Sequence, residues 1–140
     1  MDSISIKVPV TVKAKLTEKL KARILEELKS GIEQAQLELR QISIEEARVI
    51  KEEQPNENTP EGMQEMRAIR QHFGMERQKR QEYIDQATAK KEETEKLALG
   101  AEIVQGTLER QVEIKIGDDM REIMNVEVLV EDDKIVAIRS

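Results

Sequence analysis

Gln54-Pro55-Asn56-Glu57-Asn58-Thr59-Pro60 is the stretch whose reading decides the fold. It is the chain's one cluster of proline and asparagine, so the backbone must turn or loop there. On either side lies a long charged segment with a narrow apolar stripe. Upstream, Thr17 is placed as an N-cap, with Glu18 favourable in the positive first turn. From there Leu25, Leu28, Ile32, Ala35, Leu39 and Ile42 step by three and four, with Leu20 and Ile24 beside them and Ala47 and Ile50 continuing loosely. A stripe this narrow on a charged surface predicts a coiled-coil seam. Gly31 costs about 1 kcal/mol against alanine without ending the helix. Ser43 with Glu46 can form a capping box, which leaves open whether the helix restarts near residue 43.

Downstream, Thr59-Pro60 reads as a cap and first helical position. The matching stripe is Met66, Ile69, Phe73, Glu76, Arg80, Tyr83, Ala87, Lys90, Thr94 and Leu97. Its charged middle predicts that Glu76 and Arg80 pair across the seam or face water or a partner. Gly100 is expected to end this helix. Arms of roughly 36 and 38 residues, each about 55 Å at 1.5 Å per residue, around a short loop imply an antiparallel hairpin.

Outside the hairpin the period becomes two. Ile4, Ile6, Val8, Val10 and Val12 alternate with Ser5, Lys7, Pro9 and Thr11, a strand with one buried face. Pro9 cannot donate to a ladder, so the strand should lie at an edge or be interrupted there. After Gly100, Ile103, Val104 and Leu108 suggest a short strand around Gly106. Val112, Ile114 and Ile116 form another, closed by a turn at Gly117-Asp118-Asp119. Val126, Val128 and Val130 make a further strand, and Ile135, Val136 and Ile138 pair back after the turn Glu131-Asp132-Asp133-Lys134. The expected fold is α+β: a long antiparallel helical (coiled-coil) hairpin inserted in, and projecting from, a small antiparallel β-sheet or barrel. Residues 1–16 supply the first strand, 17–99 the hairpin with its loop at 54–60, and 100–140 the remaining strands.

Composition narrows the function. Of 140 residues, 37% are charged and 38% hydrophobic, with one Phe, one Tyr and no Trp, so aliphatic side chains must fill a modest core. The net charge is −6, and residues 101–140 carry ten acids against five bases. An acidic, aromatic-poor β module is ill suited to gripping single-stranded nucleic acid. With no cysteine, disulfides, Cys-ligated zinc and thiol chemistry are excluded. The first residues lack the basic start and apolar run of a secretory leader, and no apolar run approaches the ~20 residues of a membrane span. A cytoplasmic protein is expected.

Candidate reactive residues are few. His72, the single histidine, has no base, acid or metal-ligand partner in its helical pattern. Asp118-Asp119 and Asp132-Asp133 are of a type that can hold Mg²⁺ or act as acid and base, but both doublets fall at turns, where Asp is favoured for backbone reasons. The six glycines are scattered and form no phosphate loop. No catalytic, cofactor-binding or metal residue is assigned, no cofactor is expected, and the chain is read as no enzyme. Two basic clusters surround residues 13–23 and 67–80. Of these, Lys13, Lys15, Lys19, Arg77 and Arg80 are the candidate phosphate contacts. Interleaved Glu18, Glu26, Glu65, Glu76 and Glu82 instead suggest a salt-bridged, solvated face.

Apolar positions off the stripes, Leu37, Ile44, Met63 and Met75, should stay outside an isolated hairpin and mark an interaction surface. The reading is therefore a non-enzymatic protein-interaction or scaffold protein using the hairpin as a contact arm. Its partner is protein, including a second copy joined through the arms and not the acidic module. The alternative is an RNA- or ribosome-associated accessory factor.

The junction Val8-Pro9-Val10-Thr11-Val12-Lys13-Ala14-Lys15-Leu16-Thr17-Glu18 and the tail Val128-Leu129-Val130-Glu131-Asp132-Asp133-Lys134-Ile135-Val136-Ala137-Ile138-Arg139 resemble the YlqD family of small bacterial proteins. Leu97-Ala98-Leu99-Gly100-Ala101-Glu102 and Ile114-Lys115-Ile116-Gly117-Asp118 are similar to it too. The resemblance covers nearly the whole chain through structural junctions, with residues 41–60 the least similar part. It brings no catalytic or binding residues, because the family has no established activity. Its genes tend to lie near ribosome-maturation genes, which the resemblance adds to the RNA-linked alternative.

Overall fold

The computed structural model describes all 140 residues. The elements run β1 (Ser3–Lys15), α1 (Glu18–Glu53), α2 (Pro60–Lys96), β2 (Glu102–Lys115), α3 (Met120–Met124), β3 (Glu127–Glu131) and β4 (Lys134–Arg139). They divide into a sheet unit, residues 1–23 with 97–140, and a hairpin unit, residues 24–96.

In the sheet unit the strand order is β2-β1-β3-β4. β1 pairs antiparallel with β2 along its length, from Ser3 opposite Lys115 to Lys15 opposite Glu102. The α+β architecture is as the pattern predicts, but the sheet is mixed. β1 and β3 run parallel over Thr11–Ala14, because α3 carries the chain past β1 before β3 begins. α3 is capped by Asp119, whose side chain accepts from Arg121 N at 2.8 Å. The β3–β4 hairpin closes on Asp132 and Asp133, both at positive φ (47° and 70°), the geometry of a tight two-residue turn.

Contrary to what the proline suggests, β1 is neither an edge strand nor interrupted at Pro9: it lies between β2 and β3 and runs unbroken from Ser3 to Lys15. Pro9 is accommodated locally instead. Thr11 N donates to Val126 O at 3.2 Å, so the odd-numbered residues of β1 direct their amides away from β2. At Pro9 that side has no strand opposite, since β3 begins to pair only at Thr11. The missing N–H is therefore one the sheet does not need.

β2 is also longer than the spacing suggests. The short strand around Gly106 and the later one are a single 14-residue element, continuous through Gly106. A register shift opposite Val12 and Lys13 leaves Gln105 as the extra residue, and this bulge carries the strand past the glycine.

Alternation gives the sheet two unlike faces. One carries Ile4, Ile6, Val8, Val10, Val12 and Ala14 of β1 beside Leu108, Val112 and Ile114 of β2 and Val128 and Val130 of β3. Val8, Val10 and Ala14 are buried there, and with Leu16 and Leu20 they form the core of this unit. The other face is polar, with Lys13 paired to Glu127 at 2.8 Å and Arg139 to Glu127 at 3.2 Å. Leu16 is pinned on both backbone groups: its N–H donates to Ala101 O at 2.7 Å and its carbonyl accepts from Gly100 N at 2.8 Å.

In the hairpin unit α1 is continuous through Ser43, with no restart. Thr17 caps it, its hydroxyl oxygen accepting from Leu20 N at 3.1 Å. Gln54, at φ 43°, ends α1 in the left-handed conformation before Pro55. Asn56 then organises the loop: its side chain accepts from Asn58 N at 3.0 Å, and its carbonyl accepts from Thr59 N at 3.1 Å. Thr59 caps α2 by accepting from Gly62 N at 3.0 Å. α2 stops at Lys96, short of Gly100, whose positive φ of 92° serves the turn into β2 instead.

The seam is thin. Ala35, Met66, Ala87 and Thr94 are its buried side chains, while Leu28, Ile32, Leu39, Ile42, Ile69 and Phe73 are half-buried. Thr94 offsets its burial by donating to Lys90 O at 2.7 Å. Of the expected stripe, Lys90 is exposed, while Tyr83 is half-exposed with its ring laid across to α1. Gly31 has a reason to be glycine: a side chain there would run into the Tyr83 hydroxyl. Gly62 likewise lies against the Asn56 backbone.

Candidate functional surfaces

The charged middle of the α2 stripe is bridged from both directions. Arg80 binds Glu76 on its own helix at 2.5 Å and Glu38 of α1 at 3.2 Å. Nearer the loop, Arg77 makes two parallel bonds to Glu46, at 3.3 and 3.1 Å. Solvent screens such partly exposed pairs, so each contributes little to stability. Their geometry matters more, because a bidentate arginine–carboxylate fork fixes the register of the two arms. The Arg80 guanidinium, with Lys79 beside it, holds the Glu76 carboxyl below the usual carboxylate range. Arg80 is in turn held above its ordinary value by Glu76 and Glu38.

Three of the five candidate phosphate contacts are thus taken by carboxylates: Lys13 by Glu127, Arg77 by Glu46, and Arg80 by Glu38 and Glu76. Lys15 is half-buried on the polar sheet face and Lys19 is exposed. Lys19 lines a groove of about 190 Å³ floored by Val12, Ala14, Leu20 and Val130 and flanked by Arg23, Asp132 and Asp133.

The four off-stripe apolar residues all lie open: Leu37, Ile44, Met63 and Met75 are 42 to 70% exposed. They do not make one row. Leu37 and Ile44 are seven residues apart and share a face, whereas Met63 and Met75 lie about 120° apart around α2 at 100° per residue. Met63 borders a shallow groove of about 700 Å³ with Met66, Arg67, Arg70, Gln71 and Glu57. Met66 and the arginines beside it are what the sequence left unjoined: they follow the helical repeat, but the loop that flanks them had no visible geometry.

His72 is exposed and stacks edge-to-face on Phe73, with ring centroids 5.1 Å apart. The aspartate doublets act on the backbone. Asp118 accepts from Lys115 N at 2.8 Å, Asp119 caps α3, and Asp132 accepts from the Thr17 hydroxyl at 2.7 Å. No group of three or more His, Asp or Glu side chains is arranged to hold a metal ion. No helix is long and apolar enough to cross a membrane.

Together these features define a small α+β protein of a four-stranded mixed sheet and a long helical hairpin, whose distinctive surfaces are open apolar side chains and bridged charges. The chain belongs to the YlqD family: the model described as "YlqD protein" matches residues 4–139. It is also similar to a crystal structure of a protein of unknown function from Synechococcus sp. WH 8102. That match has a TM-score of 0.85 and 28% identity, and it covers 99% of this chain and 95% of that one. No curated protein matches the chain significantly.

Proposed function

We propose that the chain is a non-enzymatic protein-interaction protein that uses the helical hairpin as its contact arm. One observation carries this reading: the hairpin keeps Met63 open beside the buried Met66, in a groove flanked by Arg67 and Arg70. Methionine at an open groove adapts to varied apolar partners, and flanking arginines favour a partner segment that sets acidic residues around an apolar one. Leu37 and Ile44 expose a separate apolar face on α1. An RNA-binding role is less well supported, since Arg77 and Arg80 spend their charge on carboxylates of the hairpin.

The test is affinity capture from the native cell, with and without ribonuclease, using the wild type and Met63→Glu. The proposal expects a defined protein that survives ribonuclease and is lost with Met63→Glu. Recovery that disappears on ribonuclease treatment, or that Met63→Glu leaves unchanged, contradicts it.

A further inference from the structure

The sheet unit carries a second open surface, at the outer edge of β2. β2 pairs with β1 on one side and with nothing on the other. Long unpaired edges invite pairing with another strand, and they are usually blunted by proline, short length, bulges or charges. β2 is 14 residues long and contains no proline. Its bulge lies at Gln105, outside residues 107–115, and the charges there are of both signs.

The backbone shows which groups that edge offers. Ile116 N donates to Asp2 O on the β1 side at 3.3 Å. Even-numbered residues of this part of β2 therefore point their amides toward β1. Thr107, Glu109, Gln111 and Glu113 point theirs outward. Lys115 also points outward, but both its backbone groups serve the turn that follows. Its N–H donates to Asp118 Oδ2 at 2.8 Å and its carbonyl accepts from Asp118 N at 3.1 Å, so at this position the edge offers the side chain alone.

A second copy is the occupant whose charges fit. An antiparallel twofold pairing that keeps apolar face with apolar face must be centred on a single residue of β2. Centring on Glu109, Arg110 or Glu113 sets that charged residue against its own copy, and centring on Gln111 sets Glu109 against Glu113. Like charges directly opposite are destabilising. Centring on Thr107 or Leu108 avoids such clashes but opposes no acid to a base, whereas centring on Val112 avoids them and brings opposite charges together. Val112 then meets Val112 of the second copy, and Gln111 meets Glu113 in a hydrogen-bonded pair. Glu109 meets Lys115 twice, once on each side of the axis. Leu108, 61% exposed, meets Ile116, 83% exposed, also twice.

We propose that two copies of this chain join by antiparallel pairing of their β2 strands about Val112, extending the sheet from four strands to eight. This places self-association on the sheet, leaving the hairpin free for a different protein.

The chain lacks cysteine, which makes the register directly readable. Opposed residues of a non-hydrogen-bonded antiparallel pair have Cα atoms about 4.5 Å apart, within the range a disulfide spans. Val112→Cys is expected to give a disulfide-linked dimer under mild oxidation. Arg110→Cys is expected to stay monomeric on denaturing gels, its counterpart lying four residues along the strand, roughly 13 Å away.

Light scattering at micromolar concentration supplies the second arm. The wild type is expected at twice the 16.1 kDa chain mass. Glu109→Lys and Lys115→Glu, both at exposed positions, are each expected to fall to the monomer mass with unchanged circular dichroism. The double exchange Glu109→Lys/Lys115→Glu is expected to restore the dimer. A monomeric wild type, a dimer indifferent to both single exchanges, or a disulfide formed as readily at position 110 as at 112 overturns the proposal.

Discussion

Three glycines lie inside the two long helices, and helix propensity alone treats them alike: replacing each with alanine should stabilise by about 1 kcal/mol. The surroundings separate them. Gly74 has open space where a Cβ would go, so Gly74→Ala is expected to gain the full amount. For a chain of this size that raises the melting temperature by about 4 °C. At Gly62 a Cβ would overlap the carbonyl oxygen, carbonyl carbon and amide nitrogen of Asn56. These are backbone atoms of the loop, and Asn56 O also accepts from Thr59 N and the Thr59 hydroxyl. Moving them costs about 1–3 kcal/mol by overpacking and loosens two hydrogen bonds of about 0.5–1.5 kcal/mol each. Gly62→Ala is therefore expected to be net destabilising by about 1–3 kcal/mol, lowering the melting temperature by roughly 4–12 °C. Gly31→Ala falls between, because the obstructing atom is the end of the half-exposed Tyr83 side chain, which can swing away. Thermal melts followed by circular dichroism at 222 nm rank the three variants. If Gly62→Ala stabilises as much as Gly74→Ala, the loop at 54–59 does not pack on the first turn of α2 and the account of the hairpin end is wrong.

Two further outcomes follow from the packing and the ion pairs. Leu16, 1% exposed and bonded through both backbone groups, should lose about 2–5 kcal/mol as Leu16→Ala, read by urea denaturation; a loss under 1 kcal/mol would place the core of the sheet unit elsewhere. Glu76 is held below its ordinary range by Arg80, so its contribution is present above the unfolded value and lost as pH falls through the folded one. The melting temperature should therefore drop as pH falls below the ordinary carboxylate range, and Glu76→Gln should flatten part of that drop; a variant with the wild-type acid profile removes Glu76 from the explanation.

Much of this molecule was legible in residue order, for identifiable reasons. The loop announced itself because Pro55, Asn56 and Pro60 act locally, and the caps at Thr17 and Thr59 depend only on residues within a turn. The strict alternation from Ile4 to Val12 likewise needs no tertiary information. What escaped was non-local. The parallel pairing of β1 with β3 depends on a crossover through α3, and five residues from Met120 to Met124 are too few to show a helical period. β2 looked broken at Gly106 because a bulge at Gln105 shifts the alternation by one residue, splitting one strand into two apparent ones. The charged seam positions raised a question that only the partners Glu38 and Glu46 answer, and they lie more than thirty residues away along the chain. The open surfaces were half visible. Exposure of Leu37, Ile44, Met63 and Met75 follows from the helical repeat, whereas the free edge of β2 requires knowing the strand order.

The claim that the hairpin is the contact arm is tested most directly by hydrogen exchange on the full chain, free and with the captured protein bound. New protection is expected within residues 24–96, strongest around Met63 to Gln71, with residues 102–115 unchanged. New protection confined to residues 102–139, with the hairpin exchanging as it does in the free chain, would contradict the account.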